Sequence, residues 1–82
     1  MRIALFDEDG KEKPKTYTGV AKGWPAGLYQ GVKSSGSFII IQDNKAVFIR
    51  DGGKYMNVTP GLGHLYEPYR KLSDGERIVL TA

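Results

Sequence analysis

The sequence contains no cysteine and a single histidine, His64. Without cysteine there is no disulfide, no thiol nucleophile and no cysteine-bearing zinc site. One histidine also excludes a multi-histidine metal centre within a single chain. Long apolar runs are missing as well. None exceeds four residues, the length of Phe38-Ile39-Ile40-Ile41, against the roughly 20 that a membrane-spanning helix needs. The first residues do not form a secretion signal, because Asp7-Glu8-Asp9 ends the weakly apolar stretch from Met1 to Phe6. No 3.6-residue apolar period is sustained long enough to mark a helix. The lack of cysteine fits a reducing compartment, and a cytoplasmic location is expected.

What is present fits one small folded domain. The chain has 82 residues, 40% hydrophobic and 26% charged, an ordinary balance for a globular chain. A second domain would need at least about 50 residues of its own. Eleven glycines and nine aromatics (five Tyr, three Phe, one Trp) point to β structure with many turns. The formal charge of +3 is unevenly spread. Residues 10–34 hold Lys11, Lys13, Lys15, Lys22 and Lys33 against Glu12 alone. The positive excess therefore sits in one glycine-rich, aromatic-bearing stretch, and a nucleic-acid footprint has to be considered there.

Strand and turn signals run along the whole chain. Met1 to Phe6 reads as a first strand, and Thr16 to Val20 as a second. Leu28 to Val32 reads as a short third strand. Asp9-Gly10 and Asp74-Gly75 are turn dipeptides. Residues 37–59 carry the clearest pattern. Phe38 to Gln42, Ala46 to Arg50 and Lys54 to Thr59 form a three-stranded antiparallel meander, turned at Asp43-Asn44 and at Gly52-Gly53. Pro68 to Leu72 fits at most one short helical turn, with proline at its start. Arg77 to Thr81 is a β-branched final strand. Ser73 and Glu76 have capping-box spacing, but the chain ends too soon afterwards for a helix.

Five to seven short strands with almost no helix predict an all-β domain over residues 1–82. Its architecture resembles small antiparallel SH3-like barrels, with the meander at its centre. An OB-type barrel is disfavoured, because no helix is visible between its middle strands. The turn positions fix register, and register fixes faces. Asp43-Asn44 sets Ile41 opposite Ala46 and Ile39 opposite Phe48. Gly52-Gly53 sets Arg50 opposite Tyr55 and Phe48 opposite Asn57. One face then carries Phe38, Ile40, Val47, Ile49, Met56 and Val58, and is expected to be the core. The other is mixed and holds Ile39, Ile41, Phe48, Arg50 and Tyr55. That mixed face is expected to stay partly open as a surface for a protein partner or a second copy.

Other constellations are weaker. Lys13, Lys15, Tyr17, Lys22, Trp24, Tyr29 and Lys33 interleave cations with flat rings, as single-strand-binding proteins do. The competing use of those rings is to fill the core of a small barrel. His64 lies in a Gly61-Leu62-Gly63 loop with no acid or nucleophile placed beside it. Asp7, Glu8 and Asp9 are consecutive and lack calcium-loop spacing. No enzymatic constellation, cofactor or metal site is therefore expected, and no membrane contact. The expected function is that of a small binding protein, such as an inhibitor, adaptor or assembly subunit, of the sort that phages and mobile elements encode. Nucleic-acid binding by residues 11–33 is the alternative.

Overall fold

The computed structural model describes residues 1–7, 16–19, 21–53, 57–60 and 68–81, with residues 57, 59 and 60 described by backbone alone. Among the described residues there are eight strands and no helix. They are β1 (Arg2–Asp7), β2 (Thr16–Tyr17), β3 (Gly27–Gly31), β4 (Ser37–Gln42), β5 (Lys45–Arg50), β6 (Asn57–Pro60), β7 (Tyr69–Lys71) and β8 (Glu76–Thr81). Six of them form one sheet in the order β2-β7-β3-β4-β5-β6, and β1 pairs with β8 in a separate two-stranded ribbon. All pairings are antiparallel.

The described residues are all-β as expected, with eight strands in place of the expected five to seven, and these strands do not close into a barrel. The first and last strands, which would seal a barrel, take each other instead. Their six-position register runs from Arg2 opposite Thr81 to Asp7 opposite Glu76. The helical turn expected at residues 68–72 is also corrected. Tyr69–Lys71 is a strand held between β2 and β3, with Tyr69 opposite Gly31 and Lys71 opposite Tyr29. Pairing on both edges satisfies its backbone groups, which a lone helical turn would leave open.

The meander forms in the expected register wherever both partners are described, and the expected pairing of Arg50 with Tyr55 lies outside the described residues. Asp43 and Asn44 have φ of 53° and 59°, the left-handed pair that a two-residue hairpin turn requires. Ile41 opposes Ala46, Ile39 opposes Phe48, and Phe48 opposes Asn57. At the second turn Gly53 donates its amide to the Arg50 carbonyl at 2.8 Å, and Gly52 takes the positive φ of 83°.

The faces, however, differ from the expectation: the mixed face is covered as well, and the face expected to be the core is buried only in part. Ile39 is fully buried, and Ile41 and Ala46 are buried with it. They form the core cluster with Ala21, Tyr29 and Tyr69, and half-buried Tyr17, Trp24 and Phe48 pack against it. Ile40 and Val47, expected inside, are only half-buried, and Val58 is 61% exposed. Phe38 and Ile49 on that second face are buried. Met56 lies outside the described residues. The physical reason is the supply of large partners. Tyr29, Tyr69, Trp24 and Tyr17 all come to the Ile39 face, and their area outweighs what the ribbon brings to the other.

Candidate functional site

The expected sites separate once the fold is drawn. Ile39 and Ile41 are interior residues and present no surface. Phe48 is half-buried against the same core. Arg50 is exposed at the end of β5, opposite Ser37. Tyr55 lies outside the described residues. The mixed face is therefore closed where it was expected to be open.

The ring set is also committed to packing. Tyr17 and Trp24 have ring centroids 5.5 Å apart, Trp24 and Tyr29 5.5 Å, and Tyr17 and Tyr29 5.6 Å. Trp24 also meets Tyr69 at 6.3 Å. Rings in direct contact leave no slot for a base between them. Tyr29 is wholly buried and donates its hydroxyl to the Pro25 carbonyl at 2.6 Å. Burial, with Tyr17 alongside, pushes its phenol up to about 12. It cannot serve as a stacking platform. Lys22 and Lys33 are exposed on separate turns. Lys13, Lys15 and His64 lie outside the described residues.

A different surface emerges from the ribbon and the sheet face beneath it. Gln30 pairs with Phe38 and with Arg70, and Phe38 pairs with Ile49. Directly opposed residues share a face, so these four form one row across the sheet. The ribbon crosses this row and is fastened at both ends. At one end Arg70 donates through Nη1 to Glu76 Oε1 at 2.7 Å and through Nη2 to Gln30 Oε1 at 2.7 Å. Ser73 adds its amide at 2.9 Å and its hydroxyl at 3.1 Å to the same Glu76 oxygen. The Ser73–Glu76 spacing thus builds a hydrogen-bonded turn in place of a helix cap. The hydrogen bond from Arg70 holds the Glu76 carboxyl down at about 2, against the opposing pull of burial, with the two Ser73 bonds helping.

At the other end the Met1 ammonium donates to the Gly53 carbonyl at 3.0 Å, and Gly52 donates to the Met1 carbonyl at 2.7 Å. Ile3 gives its amide to Asp51 Oδ1 at 2.9 Å, and Arg2 Nε lies 3.4 Å from the same oxygen. The β1 edge of the ribbon therefore faces the β5–β6 turn. Two positions along the strands from the Gln30–Phe38–Ile49 row, the sheet carries a next row on the same face.

That next row is Leu28, Ile40, Val47 and Val58, aligned by register across β3, β4, β5 and β6. It contains no polar side chain. Exposure grows along it from half-buried Leu28, Ile40 and Val47 to Val58 at the sheet edge. The ribbon carries apolar side chains on both sides, mixed with Asp7 and Glu76 on the inner side and with Arg2, Arg77 and Thr81 on the outer. Register puts Ile3, Leu5, Ile78 and Leu80 on its inner face with Glu76, and Ala4, Phe6 and Val79 on its outer face. Leu5, Phe6, Val79 and Leu80 are 36%, 44%, 36% and 37% exposed. Arg77 lies over the Phe6 ring, 5.0 Å from its centroid. Two signals in the sequence pointed here. Ile3–Phe6 and Ile78–Leu80 are unbroken apolar stretches, and strands of that kind are covered on both faces.

Among the described residues, no three acidic or histidine side chains gather where they could hold a metal ion, and no helix is long and apolar enough to cross a membrane. Comparison with protein-family models, with curated proteins and with solved structures finds no match.

Proposed function

We propose that the chain is a non-enzymatic protein-binding module whose contact surface is the β1–β8 ribbon together with the apolar row Leu28-Ile40-Val47-Val58. One observation carries this reading. The ribbon exposes Leu5, Phe6, Val79 and Leu80 on its two faces, and Val58 is exposed at the end of a sheet row that is apolar throughout. Contiguous apolar surface of this kind is what protein interfaces bury. Arg2 and Arg77 lie at opposite ends of the ribbon's outer face, where an interface carries its polar rim.

The test is site-directed photo-crosslinking in the native host. A photoreactive side chain at Val79 or Val58 is expected to give covalent protein adducts, and one at Lys33 to give none. Adducts at Lys33 alone, or adducts to nucleic acid at all three positions, would overturn the assignment.

A further inference from the structure

We infer that Asp74-Gly75 is a modification site, at which the chain forms isoaspartate unaided and so loosens the β8 end of the ribbon. The inference goes beyond the proposed binding surface and does not depend on what binds there.

The chemistry needs an aspartate followed by a residue whose amide can approach the side chain. Glycine, with no Cβ in the way, allows the closest approach. The glycine amide nitrogen attacks the carbon of the neutral aspartic carboxyl. A C–N bond forms, and the carboxyl OH leaves as water with the amide proton. Water then adds back to the five-membered imide. Opening at the α-carbonyl sends the main chain through Cβ and the former side-chain carbon, and the α-carboxylate becomes the pendant group. Mass and net charge are unchanged, but the main chain is one carbon longer.

The sequence holds three Asp-Gly pairs, Asp9-Gly10, Asp51-Gly52 and Asp74-Gly75. The first lies outside the described residues. The other two stand at the two ends where the ribbon is fastened, and their surroundings differ. At Asp51-Gly52 both reacting groups are held by the start of the chain. The Gly52 amide, which would be the nucleophile, donates to the Met1 carbonyl at 2.7 Å. Asp51 Oδ1 accepts the Ile3 amide at 2.9 Å and lies 3.4 Å from Arg2 Nε. The Asp51 amide is itself bonded to the Gly36 carbonyl at 2.8 Å. Attack there requires β1 to leave the turn first. At Asp74-Gly75 the side chain of Asp74 is exposed. Among the described residues, no hydrogen bond or ion pair holds its carboxylate or the Gly75 amide.

The same pair sits in the middle of a four-residue turn, closed by the Glu76 amide on the Ser73 carbonyl at 3.0 Å. From that turn the Ser73 amide and hydroxyl reach Glu76 Oε1, the oxygen that Arg70 also holds. An extra carbon between Ser73 and Glu76 cannot keep all of these bonds, because hydrogen bonds weaken steeply outside a narrow range of distance and angle. Isoaspartate at Asp74 therefore acts directly on the clamp that fastens β8 to the sheet.

The test is ageing of the full chain at about 37 °C and about pH 5, close enough to the carboxylate range to supply the neutral acid. Cleavage after lysine puts each Asp-Gly pair on its own peptide, and isoaspartate is located by retention time and electron-transfer fragmentation. In the folded chain Asp74 is expected to convert about tenfold or more faster than Asp51, whose two hydrogen bonds must open first. In about 8 M urea the two rates are expected to converge, because glycine follows both and the fold no longer separates them. The fraction carrying isoaspartate at Asp74, separated by ion exchange, is expected to exchange its β8 amide hydrogens faster, with exchange in β4 and β5 unchanged. Equal conversion of Asp51 and Asp74 in the folded chain, or none at Asp74, overturns the site. Conversion at Asp74 that leaves exchange in β8 unchanged overturns its action on the clamp.

Discussion

Replacing Glu76 by Gln removes one charge from beneath the ribbon and leaves an oxygen in the same place. The Gln oxygen can still accept from the Ser73 amide and hydroxyl, so the change isolates the ion pair with Arg70. Glu76 has its side chain fully covered, and Arg70 is 17% exposed. A carboxyl lowered from 4.5 to about 2 corresponds to an upper bound of about 3 kcal/mol of stability at neutral pH. The pair lies under only two strands, close to solvent, and screening reduces this to about 1–2 kcal/mol. The folded-state value is the lower one. The contribution is therefore fully present above pH 4.5 and is lost as the pH falls through about 2. Urea melts of the natural chain and of Glu76→Gln are expected to differ by about 1–2 kcal/mol at pH 7, and the gap should close progressively between about pH 4.5 and 2. The difference between the two chains cancels the titration of every other carboxyl. A gap that stays constant down to pH 2, or no gap at pH 7, would refute the assignment of the ribbon clamp to this pair.

Three further outcomes follow from burial and backbone geometry. Ile39→Ala should cost about 3–4 kcal/mol and Ile40→Ala about half that, and denaturant melts in the opposite order would reverse the assigned faces. A Cβ on Gly31 would lie 2.7 Å from the Ser34 carbonyl oxygen. Gly31→Ala should thus lower stability by about 2 kcal/mol or more, whereas a neutral result would mean that the β3–β4 connection yields easily. Tyr29 titrates upward, so its contribution is present below pH 10 and lost as the pH rises through about 12. Absorbance at 295 nm should show it ionising later than the exposed tyrosines, and Tyr29→Phe should remove that late step.

Local chemistry is what the sequence settles. Asp43-Asn44 can adopt the two left-handed φ angles at little cost, and once that turn is placed the pairing of Ile39 with Phe48 and of Ile41 with Ala46 follows. The extent of β1 and β8 and the all-β class are legible for the same reason, since strand and turn preferences act over a few residues. How deeply each face of the meander is buried is not a local property. Both faces carry isoleucine and phenylalanine, so the alternation is ambiguous. The choice falls to Tyr29, Tyr69, Trp24 and Tyr17, brought together from four separate stretches of chain. Pro68 and Tyr69 favour a helical start in isolation, yet β2 and β3 offer hydrogen bonds on both sides and Tyr69–Lys71 becomes a strand. The Ser73–Glu76 spacing is readable, but its meaning depends on Arg70 arriving from β7. The open ribbon likewise exists only because β1 and β8, 69 positions apart at their starting pair of Asp7 with Glu76, choose each other over the sheet edges. Long-range pairing of this kind is decided by the total area buried across the whole chain, and no window of sequence contains that sum.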